Sequence, residues 1–259
     1  MAPFRLSAGK TYTAVPDTEA FRMHTHDSYE IYCFLAGDAR YFVEGSIYTL
    51  KPGDILVIKK AEAHSLLIST PAPYERMVVN FDPEALLEED PAGAVAFLDA
   101  KPLGKLSRYA AASGHSQWLH YLEAICTTKD MQEKRLYLTV LLRELRESSP
   151  ASPTDTVQEN MMDILSYLND HIAEPLSLDA LCSRFFLSKS QLNRKFKRIT
   201  GSTVWEYITT KRLLLAKQRM QEGILPTAVY LQCGFNDYCA FFRAYKKLFH
   251  CSPKEDCRK

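Results

Sequence analysis

Between Ser188 and Thr200 the chain carries hydrogen-bonding groups and cations at Lys189, Ser190, Asn193, Arg194 and Lys197, while Leu192, Phe196 and Ile199 recur at i, i+4 and i+7. That spacing is a helix with one buried stripe, so the polar set must face outward together. Arginine can grip guanine O6 and N7 with two hydrogen bonds and asparagine can grip adenine, so such a face suits a major groove.

The elements needed to position this face are written twice. One copy runs Leu181-Cys182-x-x-x-Phe186-Leu187-Ser188 and then Leu192-Asn193-Arg194-x-Phe196-Lys197; the other runs Val229-Tyr230-x-x-x-Gly234-Phe235-Asn236-Asp237 and then Phe241-Phe242-Arg243-x-Tyr245-Lys246. The offset is 48 residues from Cys182 to Tyr230 and 49 from Phe196 to Tyr245, so the second turn is one residue longer. Phe241, Tyr245 and Leu248 repeat the buried stripe. Ser188 with Gln191 forms a capping box. Ser177 and Asp179 open the preceding helix, Leu178 to about Phe185, and Asp237 is placed to cap the second reading helix. Pro175 and Pro226 stand just upstream of the two units. Between them, Trp205, Ile208, Leu215 and Ala216 share one face of a long helix from about Val204 to Met220. If that helix spaces the readers by one turn of B-DNA, roughly 34 Å, both enter successive major grooves.

Charge agrees. From Leu181 onward 16 Lys and Arg face 5 Asp and Glu, whereas residues 1–154 carry 16 against 20, so a formal net charge of only +1 conceals a basic C-terminal module. A polyanion is the partner this distribution implies. No stretch approaches the roughly 18 apolar residues of a membrane span, and no signal-peptide core follows Met1-Ala-Pro-Phe-Arg5. Seven cysteines without CxxC spacing fit the reduced cytoplasm. Glu147 to Thr156 has the composition of a linker, which predicts domains at 1–147 and 158–259 joined by 148–157.

On these motifs the C-terminal region, about Asn160 to Arg258, resembles the AraC/XylS class of bacterial transcription regulators. The matching residues include Leu181, Leu187-Ser188, Leu192, Arg194, Phe196-Lys197, Thr200-Gly201, Arg212, Ala216, Gly234-Phe235, Asp237, Phe241, Arg243, Lys246-Lys247 and Ser252-Pro253. Phe186, Tyr230 and His250 depart from the pattern, which usually has a small residue, Ala and Gly there. The resemblance implies that base readers lie on both second helices: Ser190, Asn193 and Arg194 in the first (helix-turn-helix about 177–200), Tyr238, Cys239, Phe242 and Arg243 in the second (about 225–249). Ser188, Lys189, Lys197, Arg198, Lys211, Lys246 and Lys247 are then candidates for phosphate contacts, which set register without reading bases. The chemistry of the first set predicts that the first unit specifies sequence and the second mainly positions.

From Phe21 to Phe81 short β-rich runs are broken by turn signals at Ala36-Gly37-Asp38, Glu44-Gly45-Ser46 and Lys51-Pro52-Gly53-Asp54. Ile31, Cys33 and Leu35 alternate, and Ile55 to Ile58 reads as a fully buried strand. This pattern argues for a small sandwich or barrel, about 15–85. It resembles the cupin barrel that often forms the sensor half of AraC-type regulators, on His24-x-His26-x3-Glu30-x6-Gly37, Gly53-Asp54 and His64; Lys59, Lys60 and Ala61 depart from the second cupin motif. Residues two apart on a strand share a face, so His24, His26 and, if the strand is continuous, Glu30 point inward together. With His64 they would make a ligand set suited to a divalent metal such as Fe, Mn, Ni or Zn. The alternative is that they are polar groups of an effector pocket shared with Arg22, Tyr29 and Tyr48, to which Arg40 and Asn80 can add.

Two further helices are predicted within 108–147. Ser116 to Cys126 holds Trp118, Leu122 and Ile125; Asp130 to Arg146 holds Leu138, Leu141, Leu142 and Leu145. The resemblance implies a subunit contact here, whereas the residues alone equally allow the leucines to cover the barrel.

The expectation is therefore an α+β multidomain chain: a cupin-like β-barrel with a helical dimerisation segment, then an all-α domain of two helix-turn-helix units joined by a long helix. It would be a cytoplasmic, effector-responsive, DNA-binding transcription regulator with no catalytic residues, an activator rather than a repressor. Its partners would be double-stranded promoter DNA, a small-molecule effector, RNA polymerase and a second copy of itself, with no membrane. The alternative is a metal-dependent cupin enzyme fused to a DNA-binding module.

Overall fold

The computed structural model describes residues 4–16, 21, 23–111, 116–156, 159–200 and 202–257. Arg22 and Gly201 lie outside them. Contacts divide the chain into two compact units, one built on His26–Thr156 with the N-terminal strand, the other on Val157–Lys259 with Met23–Thr25.

The first unit is two facing antiparallel sheets. Strands β1 (Leu6–Thr13), β7 (Tyr74–Phe81), β2 (Tyr29–Ala36), β5 (Ile55–Ile58) and β8 (Arg108–Tyr109) lie side by side in that order, and β6 (His64–Ile68), β3 (Ala39–Val43), β4 (Ser46–Thr49) and β9 (Asp155–Thr156) make the other sheet. The three predicted turn signals fall between β2 and β3, β3 and β4, and β4 and β5. Gly53 has φ +89°, and Asp54 beside it accepts from Lys51 N at 3.0 Å, closing the last of these turns.

Between the sheets pack Tyr32, Phe34, Leu56, Ile58 and Tyr74 from one side and Ala39, Tyr41, Val43, Tyr48 and Leu66 from the other. The opposite face of the first sheet, with Ile31, Cys33, Val57, Met77, Val79 and Phe81, is covered by α1 (Pro91–Asp99), α2 (Ser116–Thr127) and α3 (Met131–Glu147). Trp118, Leu122, Ile125, Leu138, Leu141, Leu142 and Leu145 all belong to that cover. These leucines are therefore spent on the barrel and not on a subunit contact.

Four expectations are corrected. The barrel begins before residue 15: β1 was not predicted, because Gly9 and Lys10 interrupt its pattern and most of its side chains are exposed. The Ile31/Cys33/Leu35 alternation shows only one of two covered faces, since Tyr32 and Phe34 are equally buried. The strand is not continuous from His24 to Glu30, because β2 starts at Tyr29. Finally, 148–156 does not run as a free linker. Ala151 N donates to Arg108 O at 2.7 Å, Thr49 N donates to the Thr154 hydroxyl at 2.6 Å, and β9 pairs with Ser46 and Ile47 of β4. Edge backbone groups of the sheets take these polar residues as partners, which composition does not show.

The second unit comprises α4 (Glu159–Asp170), α5 (Leu178–Phe185), α6 (Lys189–Thr200), α7 (Val204–Gln221), α8 (Pro226–Gln232), α9 (Tyr238–Phe249) and α10 (Pro253–Asp256). The caps form as expected. Ser177 accepts from Ala180 N at 3.1 Å, Ser188 and Gln191 exchange bonds of 2.9 and 3.2 Å, and Asp237 accepts from Cys239 N and Ala240 N at 3.2 and 2.7 Å. The single stripe expected on α7 is not observed: Trp205 is 49% exposed, while Val204, Tyr207, Ile208, Arg212, Leu213, Leu214, Ala216 and Met220 are buried. The reason is that α7 serves both helix-turn-helix motifs. Tyr207 meets Phe196 of α6 edge-on at 5.5 Å, and Leu213, Ala216 and Met220 pack with Val229, Phe241 and Tyr245 of α8 and α9.

Candidate nucleic-acid interface and buried polar cluster

Burial of Leu192 and Phe196 turns the other side of α6 to solvent, where Lys189, Ser190, Arg194, Lys197 and Arg198 are exposed and Asn193 is half-buried. The Ser188 hydroxyl is occupied as the helix cap. Lys189 Nζ lies 2.7 Å from Asp179, but both side chains are exposed, so water and salt weaken the pair and leave the lysine available to a phosphate. No ion pair ties Arg194 among the described residues.

The face of α9 differs in kind. Cys239, Arg243, Lys246 and Lys247 are exposed, but Tyr238 and Phe242 are half-buried. Tyr238 meets Tyr230 edge-on at 5.4 Å and lies 5.9 and 6.3 Å from Phe241 and Phe242. Tyr230, where Ala is usual, thus extends an aromatic cluster to the edge of the helix. Lys211 of α7 is half-buried, its ammonium 6.0 Å from the Tyr207 ring.

Phe186 and His250 both take the left-handed conformation that the usual small residue or glycine favours, with φ of 54° and 58°. Phe186 is 93% exposed, so its ring gains little packing in return. Phe186→Gly is expected to stabilise the second unit by about 0.5 kcal/mol, the relief of left-handed strain exceeding the entropy that glycine adds to the unfolded chain. Urea unfolding checks this, and an unchanged or lower midpoint contradicts it.

In the first unit Glu30 joins two imidazoles despite the broken strand. His26 Nε2 lies 3.2 Å from one carboxylate oxygen and His64 Nε2 lies 4.0 Å from the other, while Tyr41 OH donates to Glu30 at 3.2 Å. His26 Nδ1 is 2.9 Å from Ser28 O and His64 Nδ1 is 2.8 Å from Glu62 O. Carbonyls only accept, so both Nδ1 atoms carry hydrogen and both Nε2 atoms face the carboxylate. Burial opposes charge on His26, but its hydrogen bond to Glu30 and the surrounding negative charge prevail and raise its pKa.

Two imidazoles, His26 and His64, thus meet one carboxylate within the first unit, while His24 groups with the second unit. Imidazoles oriented through Nδ1 onto carbonyls, beside a carboxylate, are a donor set that fits a divalent cation.

Other predicted pocket residues are placed elsewhere. Tyr29 OH donates to Asp99 at 2.8 Å and its ring stacks on Phe81, on the helix-covered side. The buried Tyr48 OH donates to Gly104 O at 2.7 Å and accepts from Ser107 N at 3.3 Å, holding a loop. Arg40 is exposed, because Tyr41 takes the inward position on β3. Asn80 accepts from the Ser28 hydroxyl at 3.4 Å. Missed by sequence reasoning were Tyr32, Tyr41, Tyr74 and Arg76. Their signal was strand parity: Glu30 and Tyr32 on β2, and Tyr74, Arg76 and Asn80 on β7, are separated by even numbers of residues along their strands.

Comparison with known proteins agrees with this architecture. The AraC-like ligand binding domain model matches residues 11–145, more than half of the chain, and the Helix-turn-helix domain model matches residues 181–259. The chain is 26% identical over 251 residues to the HTH-type transcriptional activator RhaS of Escherichia fergusonii, covering 91% of this chain and 87% of that protein. It is 25% identical over 246 residues to RhaS of Escherichia coli O81, with the same coverage. A crystal structure of ToxT from Vibrio cholerae O395 aligns over 98% of this chain and 97% of its own at 13% identity and a TM-score of 0.40. Among the described residues, no helix is long and apolar enough to cross a membrane. With its ligand-binding half and its doubled helix-turn-helix, the chain belongs to the AraC family of DNA-binding transcription regulators.

Proposed function

We infer that this regulator activates transcription from promoters it recognises through α6 and α9 in successive major grooves, under control of a small molecule bound in the barrel. The observation that carries the reading is the pair of capped helices with outward polar faces on one connecting helix. Ser190, Asn193 and Arg194 read bases; Tyr238, Cys239, Phe242 and Arg243 make the weaker base contacts of the second site. Ser188, Lys189, Lys197, Arg198, Lys211, Lys246 and Lys247 engage phosphates. Similarity to the RhaS activators supports activation, and contact with RNA polymerase and action in the cytoplasm belong to the same proposal. Because the core-facing leucines of α2 and α3 cover the barrel, a homodimer would use the outer side of α3, where Met131 and Leu136 are exposed. The barrel acts as a sensor and not as an enzyme. His26, Glu30 and His64 would hold a divalent metal, which would supply a Lewis-acid contact to an effector oxygen.

The test is selection of sites from a random duplex pool by the full-length protein at fixed salt. Two short motifs about one helical turn apart are expected. DNA retained without any enriched sequence would defeat base reading and leave only phosphate binding.

A further inference from the structure

On the inner face of β7, Arg76 is a cation without a carboxylate partner among the described residues. Its Nη1 donates to Tyr74 OH over a long 3.4 Å, and its guanidinium lies 5.3 and 5.6 Å from the Phe21 and Tyr74 rings. Its Nε is buried with no hydrogen-bond partner among the described residues. Three other arginines of the unit do have acceptors: Arg143 has Glu88 at 2.6 Å, Arg135 has the carbonyls of Glu84, Ala85 and Leu86, and Arg108, whose Nε is likewise buried without a partner among the described residues, has Asp54 at 3.6 Å. Burying an unpaired donor of a charged group costs free energy, and the Tyr74 oxygen is already committed to Tyr32 OH at 2.6 Å.

The geometry points to Arg76 as the anchor for a carboxylate on the effector. This rests on the proposed sensor function of the barrel and names the ligand class that Arg76 would take. A carboxylate matches a guanidinium edge in size and spacing and accepts from Nε and one Nη together. Around the cation, the Phe21 and Tyr74 rings meet edge-on at 5.6 Å, so the guanidinium is flanked by aromatic side chains.

The experiment uses the full-length protein and matched probes: acetate, hexanoate and phenylacetate, each beside its primary amide, at constant ionic strength. Binding is followed by calorimetry and thermal shift. At least one acid is expected to bind roughly tenfold or more tightly than its amide, as a charge-assisted pair requires. Arg76→Gln should erase that ratio and Arg76→Lys should reduce it. The inference is overturned if no acid binds at millimolar concentration, if acid and amide bind alike, or if Arg76→Gln keeps the preference. The comparison in the unsubstituted protein stands even if a variant fails to fold. Neutral amides that bind without discrimination and change DNA affinity would sustain the sensor reading while removing Arg76 as an anion anchor. Acids that bind with the expected ratio but leave DNA affinity unchanged would sustain the anchor and count against the sensor.

Discussion

Arg212→Met is expected to destabilise the second unit by about 3 to 5 kcal/mol. Arg212 is only 4% exposed, yet its side chain ends among carbonyls: Nε donates to Ile172 O at 2.8 Å, Nη1 to Gly234 O at 2.6 Å and Nη2 to Glu174 O at 2.6 Å. One planar fork on the connecting helix thus fastens the segment before the first helix-turn-helix and the turn of the second. Methionine fills much of the volume but donates nothing, leaving three carbonyls short of a partner. Each loss costs about 1 to 3 kcal/mol, and the losses do not simply add because they share one side chain. Arg212→Lys should recover part of the loss, since a compact ammonium cannot reach three divergent acceptors in the same fixed geometry. Gly234 is bound to the same arrangement: its φ is +82°, and a Cβ there would stand 2.7 Å from the guanidinium carbon. Denaturant unfolding of the full-length protein measures the effect on the transition of the second unit. A loss under about 1 kcal/mol would mean that water replaces the guanidinium and that the fork is dispensable.

Arg194→Ala should weaken binding to the selected DNA site by about 1 to 3 kcal/mol and relax the preference at one base pair. Arg194 is exposed on α6, one helical turn from Ser190 and on the side opposite Leu192 and Phe196. Since no ion pair holds it among the described residues, it can turn to a guanine without first breaking one. Lys197→Ala, by contrast, should lower affinity for every sequence alike and reduce the salt dependence by about one phosphate contact. Titrating selected and random duplexes at several salt concentrations separates the two. Equal losses on both DNAs for Arg194→Ala would make it a phosphate contact and move base reading elsewhere.

The C-terminal unit was legible because its signals are local. A cap, a turn residue and an apolar repeat act within one or two helical turns, so the bonds of Ser177, Ser188 and Asp237 follow from their near neighbours without any tertiary contact. The barrel was legible as a class but not in its limits, because strand pairing is non-local. Nothing near Thr154 announces that its hydroxyl accepts from Thr49 N, and nothing near Leu6 announces Phe81 opposite it. The Glu30 cluster shows the same division. Its residue types were visible, but the strand parity invoked to unite them does not hold; a bend at Asp27 and Ser28 brings His26 to Glu30 instead.

By itself the sequence determined the two-part plan, the doubled and capped helix pairs, the basic surface of the second unit and the types of residue available for reading DNA. These depend on composition and on periodicities of a few residues, which the backbone imposes wherever the chain folds. Only the tertiary structure decided that the leucines of α2 and α3 lie on the barrel, that Arg212 binds three carbonyls, that Tyr48 serves a loop and that Arg76 faces tyrosines with no counter-charge among the described residues. Each of those depends on groups far apart in the chain, and whether a charge or an apolar side chain is satisfied is set by what packs against it.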